Sequence, residues 1–283
     1  MNGTLARFCG IVAVGVLAGA LAVGDARPAQ AQQGSTVEMI FLGNMGFRFT
    51  SPEGVVILTD PWLEGNPDAP MAVADVEQAD LILVSGGHGD NVGDAVELAK
   101  RTGATVIATA ELAAWLGDQG VPREQLHAMM PGGLYQQDGV SVKVLHAVHT
   151  AGFWPPNQAT PGYAGTSIGF LLTFENDLRV YFSGDTTLFG DMRLFGELFK
   201  PQVAILSTRG RYMMEPGDGA LAAQFLMTDN PELKTVIPAH HLLKGGDPEV
   251  AATPDRVEAE IEKLGLPVSV LKAVPGETYT LAK

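Results

Sequence analysis

The sequence predicts an α/β protein built as a four-layer αββα sandwich, in which two β-sheets pack face to face and helices cover the outer faces. Two observations predict this fold class. Hairpins of short strands occur in both halves of the chain, and each half also contains strands that alternate with helices. Both patterns together are typical of two packed sheets with helices outside them.

Apolar runs predict the elements of the first half in order. The expected strands lie at 36–42, 47–50, 55–59, 79–84 and 104–108, and the expected helices at 92–101 and 111–116. The sequence Ser51-Pro52-Glu53-Gly54 predicts the turn of the hairpin between the second and third strands.

The second half repeats this mixture. Its expected strands lie at 140–148, 167–174, 178–182, 203–206, 235–237, 268–271 and 278–281, with helices at 189–199, 216–227 and 254–264. The stretch 150–166 is rich in proline, glycine and aromatic residues. It is predicted to be a long loop of the kind that often forms a lid.

Residues 1–31 are predicted to be a signal peptide rather than part of the fold. Arg7 precedes an apolar run at 10–23 that is short for a membrane span, and Ala29-Gln30-Ala31 is a small-x-small cleavage site. We therefore expect a domain at 32–283 that is periplasmic or secreted. An uncleaved anchor helix is the alternative, and a lipid anchor is not expected because no cysteine stands at the junction.

Composition excludes several function classes. The only cysteine, Cys9, lies in the predicted signal peptide, so thiolate ligands, a cysteine nucleophile and disulfides are not expected. A net charge of -14 argues against binding to nucleic acid and against stable association with anionic membranes. No Gly-x-Ser-x-Gly elbow or phosphate loop occurs, which disfavours serine hydrolases and nucleotide enzymes. The sequence therefore predicts a small-molecule substrate. It gives no prediction of the oligomeric state.

Five residues near strand ends could carry metal chemistry. His88 and Asp90 share a Gly-rich loop, His149 follows the strand at 140–148, Asp185 ends Ser183-Gly184-Asp185, and His240 follows the strand at 235–237. Imidazole and carboxylate together suit Zn, Fe or Mn.

Each of these residues also has a purely structural alternative. Asp90 or Asn91 could cap the helix that follows, and Asp185 could be a turn or cap residue. His149 could be a strand-end residue bonded to backbone, and His240 could be a packed strand-end residue. His146, three residues before His149, is expected on the opposite strand face. Two further histidines, His127 and His241, are the weaker candidates.

The order His-x-Asp, strand-end His, Gly-Asp and strand-end His resembles the ligand order of the metallo-β-lactamase superfamily. Further similar segments are Val56-Ile57-Leu58-Thr59-Asp60-Pro61-Trp62, Gly132-Gly133, Gly184-Asp185-Thr186, Gly210-Arg211-Tyr212-Met213-Met214-Glu215-Pro216 and Val236-Ile237-Pro238-Ala239-His240. They look like the branch of uncharacterised metal-dependent hydrolases that is similar to the ascorbate-6-phosphate lactonase type. The resemblance covers nearly all of 32–283 and implies the metallo-β-lactamase fold.

The resemblance also implies how the ligands are shared. His88 and His149 would belong to a first metal site, Asp90 and His240 to a second, and Asp185 would bridge the two. An atypical site that holds one divalent ion is expected, with Zn ahead of Fe or Mn.

That expectation rests on departures from the family pattern. Gly86 and Asn91 stand where the His-x-His-x-Asp-His signature has two further histidines. Asn44 and Phe182 stand where this branch tends to have histidine.

The predicted function is metal-dependent hydrolysis of a small ester, lactone, amide or phosphoester by metal-bound hydroxide, with Asp90 as the acceptor of the water proton. Phe153, Trp154 and Tyr212 are expected either to wall the pocket or to anchor loops. The alternative function is a non-catalytic periplasmic protein that binds a small molecule or a metal on a degenerate hydrolase fold. An iron-dependent oxidative reaction is a third interpretation.

Overall fold

The computed structural model describes residues 36–153, 161–241, 244 and 253–283. These residues fall within one unit that spans Gly34–Lys283. The predicted signal peptide and its cleavage site lie outside the described residues, as does Trp154.

The first half of the chain forms one sheet. Its strands are β1 (Val37–Gly43), β2 (Gly46–Thr50), β3 (Val56–Thr59), β4 (Leu81–Leu83), β5 (Thr105–Ala108) and β6 (Leu126–Ala128). They are adjacent in chain order, and the last strand of the chain, Thr278–Leu281, returns to pair with β1. Pairing is antiparallel from that last strand through β1 and β2 to β3, and parallel from β3 to β6.

The second half forms the other sheet. Its strands are β7 (Leu134–Gln137), β8 (Val140–His146), β9 (Ile168–Thr173), β10 (Arg179–Phe182), β11 (Val203–Ser207), β12 (Thr235–Ala239) and β13 (Ser269–Val270), and the returning strand Thr278–Leu281 is β14. Pairing is antiparallel from β7 to β10 and parallel from β10 to β13. Each sheet therefore combines an antiparallel part with a parallel part.

Helices cover the outer face of each sheet. They are α1 (Gly89–Val92), α2 (Ala95–Thr102), α3 (Ala110–Asp118), α4 (Met192–Phe199), α5 (Pro216–Leu226) and α6 (Thr253–Lys263). None of the helices in the described part of the chain has the length and apolar character that a membrane span requires.

The buried apolar side chains form three layers that match this architecture. The middle layer comes from the inner faces of both sheets, for example Phe41, Phe47 and Phe49 against Phe170 and Phe182. The alternation of β1 and β8 sends every second side chain into this layer. One outer layer packs α2 and α3 on the first sheet, and the other packs α4, α5 and α6 on the second. The predicted αββα sandwich is confirmed.

Three local differences from the prediction have physical causes. The helix expected at 92–101 is broken because Gly93 adopts a φ of 45°, where a Cβ would lie 2.4 Å from the Pro61 carbonyl oxygen. The edge strands β6 and β7 were not predicted because their residues are half-buried or exposed and carry little apolar periodicity. The strand expected to end at 148 ends at His146.

The parallel strands deliver the candidate residues to one edge. The carboxyl ends of β3 and β4 in one sheet lie next to those of β10, β11 and β12 in the other. Ligands in α/β proteins generally bind outside the carboxyl ends of parallel strands. Two backbone hydrogen bonds tie the sheets together there: the Ile168 amide donates to the Ser85 carbonyl at 2.9 Å, and the His240 amide donates to the Asn44 carbonyl at 2.7 Å.

Candidate metal centre

The loop after β4 presents His88 and Asp90 to this edge. His88 stands at the N-cap position of α1 with extended backbone, and Asp90 lies in the first turn. Neither α1 nor α2 has a side-chain capping hydrogen bond. The helix-cap explanation of Asp90 is therefore wrong, and its carboxylate faces the site instead.

The turn after β10 places Asp185 at the centre of the cluster. Gly184 has a φ of 58°, and a Cβ there would lie 2.3 Å from the Ile168 carbonyl oxygen, so only glycine fits this turn. Asp185 is 1% exposed. Its Oδ2 lies 3.9 Å from His88 Nδ1, and its Oδ1 lies 3.2 Å from His240 Nε2. Asp185 thus faces a different imidazole with each oxygen.

His149 reaches the site from the segment after β8. The Val148 amide donates to Thr186 Oγ1 at 2.9 Å, and the Thr187 amide donates to the Val148 carbonyl at 3.1 Å, which fixes this segment beside the Asp185 turn. The rings of His88 and His149 are 5.2 Å apart and nearly perpendicular. Ligand atoms of His88, His149 and Asp185 all lie within 4.8 Å of one another.

His240 supplies the other side of the site. It follows β12 with a φ of 64°, a left-handed conformation that is unusual for histidine. The side chain is 1% exposed, and Nε2 lies 3.3 Å from Asp90 Oδ2. Residues with such sparsely populated backbone conformations cluster at functional sites. Within the described residues neither ring nitrogen of His240 bonds to backbone, and Nε2 instead faces the carboxylates of Asp90 and Asp185.

Asn44 connects Asp90 with the second sheet. It lies in the β1–β2 turn with a φ of 56° and is 1% exposed. Its Nδ2 donates to Asp90 Oδ2 at 3.0 Å, while its carbonyl accepts the His240 amide. One residue thus positions both members of the Asp90–His240 pair.

A second polar cluster lies directly behind the loop that carries His88 and Asp90. Asp60, at the end of β3, is fully buried and accepts three hydrogen bonds. They come from the Ser85 amide at 2.8 Å, the Ser85 hydroxyl at 2.5 Å and Asn91 Nδ2 at 3.1 Å. Asn91 is therefore turned toward Asp60 by its amide nitrogen, and its Oδ1 has no partner among the described residues.

Burial and mutual attraction set the charges of the site. Burial by itself lowers the pKa of His240, but the Asp185 and Asp90 carboxylates outweigh it and raise this pKa to about 10. Burial by itself raises the pKa of Asp185 and of Asp90, and the facing His240 reverses the direction in both. The Asp185 carboxylate raises the pKa of His88, whereas burial lowers the pKa of His149.

The pKa of Asp60 is shifted differently, because no cation among the described residues faces its carboxyl group. Burial raises the pKa of Asp60 well above its ordinary value, and the hydrogen bonds from Ser85 and Asn91 offset this only in part. The nearby Asp185 carboxylate acts in the same direction as burial.

The donor set fits a divalent metal ion. Both oxygens of Asp185 are buried, and the groups that face them among the described residues are imidazoles: His88 Nδ1 lies 3.9 Å from Oδ2, and His240 Nε2 lies 3.2 Å from Oδ1. Buried carboxylate oxygens are normally satisfied by donors or by a cation. His88 and His149 add imidazole nitrogen at the same point, so the cluster has the two-imidazole, one-carboxylate composition that holds Zn, Fe or Mn.

The site opens into a cavity of about 190 Å³. Its walls are the five candidate ligands together with Thr150, Arg209, Tyr212 and Met213. Tyr212 therefore lines the pocket. Phe153 instead packs its ring 5.1 Å from that of Trp115 and bridges to Gly162, so it anchors the loop that follows His149.

The remaining histidines lie away from the cluster or face the core. His146 contacts Asp191 at 3.4 Å and packs against Phe189. His127 packs on Tyr135. His241 is buried beside Phe41, and burial lowers its pKa to about 4. Because β8 ends at His146, strand alternation does not decide the separation of His146 from His149; the Thr186 hydrogen bond does.

Three residues of the site received no role from the sequence. They are Asn44, Asp60 and Arg209. Asp60 and Arg209 do carry a detectable signal, since each follows a strand end on the same edge as the candidate ligands. Asn44 carries a signal only through the family resemblance, as a departure from an expected histidine, because its contacts are made to residues 46 and 196 positions away.

The chain is similar to known proteins over most of its length. The family model described as the beta-lactamase superfamily domain matches residues 56–241. A UPF0173 metal-dependent hydrolase of Koribacter versatilis is 36% identical over 244 residues, which cover 86% of this chain and 98% of the relative. Another, from Methanopyrus kandleri, is 37% identical over 243 residues and covers 86% and 99%.

A solved structure also resembles the whole described unit. It is that of Igni18, a metallo hydrolase from the archaeon Ignicoccus hospitalis, with a TM-score of 0.73 and 28% identity. The match covers 88% of this chain and 99% of that one.

Proposed function

Because the chain belongs to the UPF0173 metal-dependent hydrolases of the beta-lactamase superfamily, we propose that it hydrolyses a small ester, lactone, amide or phosphoester at a site for one divalent ion. The observation that carries this proposal is the convergence of His88, His149 and Asp185 within 4.8 Å, with both oxygens of the buried Asp185 facing imidazole nitrogens. Two imidazoles and one carboxylate favour zinc, with iron or manganese as alternatives.

The proposal of a single ion follows from the unequal donor sets. The set around His88 and His149 contains two imidazoles and Asp185. The set around His240 contains one imidazole and the carboxylates Asp90 and Asp185. Gly86 has no side chain to add, and the amide of Asn91 is committed to Asp60. The second set is therefore the weaker one.

The residues would divide the work as follows. When bound, a divalent ion supplies Lewis acidity, which lowers the pKa of water at the site toward neutrality. Asp90 lies at the cavity wall and accepts the proton that the attacking water loses. Asn44 holds Asp90 in place through the 3.0 Å hydrogen bond. Tyr212 and Met213 enclose the substrate beside the ligands.

Metal content and turnover test the proposal together. Protein produced with added zinc should hold about one ion per chain after dialysis, measured by elemental analysis. It should hydrolyse at least one of 4-nitrophenyl acetate, γ-butyrolactone and bis(4-nitrophenyl) phosphate. Asp90→Asn should retain the ion and lose turnover, because the amide cannot accept the proton. The exposed Asp138→Asn serves as the control for loss of one carboxylate.

Two outcomes would contradict the proposal. Two tightly held ions, or none after zinc supplementation, would exclude a one-ion site. One ion without turnover of any compound in a wider ester and lactone panel would favour the rival function, a binding protein on the same fold.

We further propose that the chain is exported and that the mature protein begins near Gln32. Support comes from the sequence alone, through the short apolar run at 10–23 and the Ala29-Gln30-Ala31 site. N-terminal sequencing of protein from fractionated cells tests this proposal. Intact Met1 in the membrane fraction would contradict it.

A further inference from the structure

Arg209 is a cationic side chain at the wall of the proposed active site, and it has no partner among the residues that the structure describes. It is half-buried and lines the same cavity as His88, Asp90 and Asp185. It makes no hydrogen bond, ion pair or ring contact with any residue in the described ranges, although Asp90 and Asp185 share its cavity. Guanidinium groups that are partly removed from water normally have acceptors for their five donors.

The fold holds Arg209 at the same sheet edge as the candidate metal ligands. The register of β11 and β12 pairs Ser207 with Ala239, and the Thr208 amide donates to the Ala239 carbonyl at 3.0 Å. In this register Thr208 is level with His240, so Arg209 leaves its strand one residue beyond the level of His240. The sheet sets the position of the Arg209 backbone, while its guanidinium group has no acceptor within the described ranges.

The charge of the chain makes this position selective. The sequence has 32 acidic and 18 basic residues, so its surface field repels anions in general. Among the described residues that line the cavity, Arg209 supplies the one guanidinium group. A planar guanidinium binds carboxylate and phosphate oxygens in pairs, through two parallel N–H···O bonds.

We propose that the substrate carries an oxyanion, a carboxylate or phosphate separate from the scissile bond, and that Arg209 binds it. This inference rests on the proposed function, because it names the class of substrate for that same site. Thr150 and Tyr212, which also line the cavity, provide hydroxyl groups beside the anion. Neutral esters of the same size lack the acceptor and are the poorer substrates.

Binding of defined probes tests the inference independently of turnover. Calorimetry on zinc-supplemented protein compares glutarate with neutral glutaramide, and glycerol 3-phosphate with glycerol. We expect the anions to bind more tightly, and Arg209→Met to weaken anion binding by about tenfold or more while leaving the neutral probes unchanged. The tighter of the two anions identifies carboxylate or phosphate as the natural group.

The matched control is Arg211→Asn. Arg211 lies on the same loop over the Tyr212 ring at 5.0 Å but does not line the cavity. Its φ of 51° is tolerated by asparagine, so the variant removes the same charge without backbone strain. It should bind glutarate as wild type does. Arg209→Lys, which keeps the charge but loses the planar fork, should be intermediate and decides the matter if Arg209→Met is unstable.

The ester pair mono-4-nitrophenyl glutarate and 4-nitrophenyl pentanoate extends the test to turnover, with the charged ester preferred only when Arg209 is present. Equal binding of glutarate and glutaramide, or undiminished anion binding in Arg209→Met, would overturn the inference. Anion binding that depends on Arg209 without turnover of any ester would leave the subsite standing and refute the hydrolase proposal. Metal-dependent turnover that depends neither on the charge of the ester nor on Arg209 would support the hydrolase proposal and refute the anion subsite.

Discussion

Asn44 donates a hydrogen bond from Nδ2 to Asp90 Oδ2 at 3.0 Å, across 46 positions of sequence. The same residue accepts the His240 amide on its carbonyl. The orientation of the proposed proton acceptor and the placement of a proposed ligand therefore depend on one buried turn residue.

We predict that Asn44→Gly lowers kcat/KM by about tenfold, within the range that outer partners of metal sites show. Glycine accepts the φ of 56° without strain, so the loss reports the side chain rather than the turn. Asn44→Asp should in addition move the acidic limb of the pH–rate profile to higher pH, because a second carboxylate raises the pKa of Asp90. Asp138→Gly, at an exposed turn residue with a φ of 47°, is the control. Unchanged pH profiles in both Asn44 variants would refute the positioning role.

We predict that His149→Ala weakens zinc binding by roughly 100-fold or more, whereas His146→Ala leaves it unchanged. Loss of a ligand should cost more than loss of a residue that only hydrogen-bonds to a ligand, for which losses of about 10- to 100-fold are typical. His149 belongs to the cluster of ligand atoms within 4.8 Å, while His146 pairs with Asp191 outside it. Competition titration with a chromogenic chelator measures both affinities. Equal losses would place His146 in the site and contradict the geometry.

We predict that the double variant Gly86→His, Asn91→His binds two zinc ions where the wild type binds one. Gly86 has no positive φ, and a Cβ there would lie 3.4 Å from Asn91 Oδ1, an ordinary contact. Asp60 now accepts a hydrogen bond from Asn91 and could accept one from an imidazole at that position, as carboxylates do behind metal-bound histidines. Elemental analysis of the single and double variants gives the stoichiometry. If the folded double variant still binds one ion, restoring the two histidines is not enough to turn this site into a two-metal site, and the prediction is wrong.

We predict that Asp60 makes the metal-free protein less stable as the pH rises. An unfolded Asp has a pKa of about 3.9, and burial raises the pKa of Asp60 in the folded state. Between these two pKa values the folded state binds the extra proton, so the free energy of unfolding falls with rising pH by about 1.4 kcal/mol per pH unit. This contribution is complete below about pH 4 and is lost as the pH passes the folded-state pKa.

Asp60→Asn should remove that slope, because an amide does not titrate and Asn91 can turn its unpaired Oδ1 toward the new donor. Urea unfolding from pH 4 upward measures the slope. Asp138→Asn, at an exposed position, is the control. Parallel curves for wild type and Asp60→Asn would show that Asp60 is ionised in the folded state throughout this range.

Much of the fold and of the candidate site could be predicted from sequence because it depends on local pattern. Period-two burial in β1 and β8 is visible as alternating apolar residues, and the three-layer core follows from it. His88, Asp185 and His240 were found for a related reason. Each follows a strand, and the carboxyl ends of neighbouring parallel strands share one edge.

The tertiary structure alone decided which side chains face each other across the two sheets. The Asn44–Asp90 hydrogen bond and the turn of Asn91 toward Asp60 depend on how the sheets pack and have no local pattern. The position of Arg209 at the wall of the metal cavity, where it has no partner in the described part of the chain, is equally non-local. Sequence determines the strand that delivers a residue to an edge, whereas its contacts there depend on side chains that arrive from distant positions in the chain.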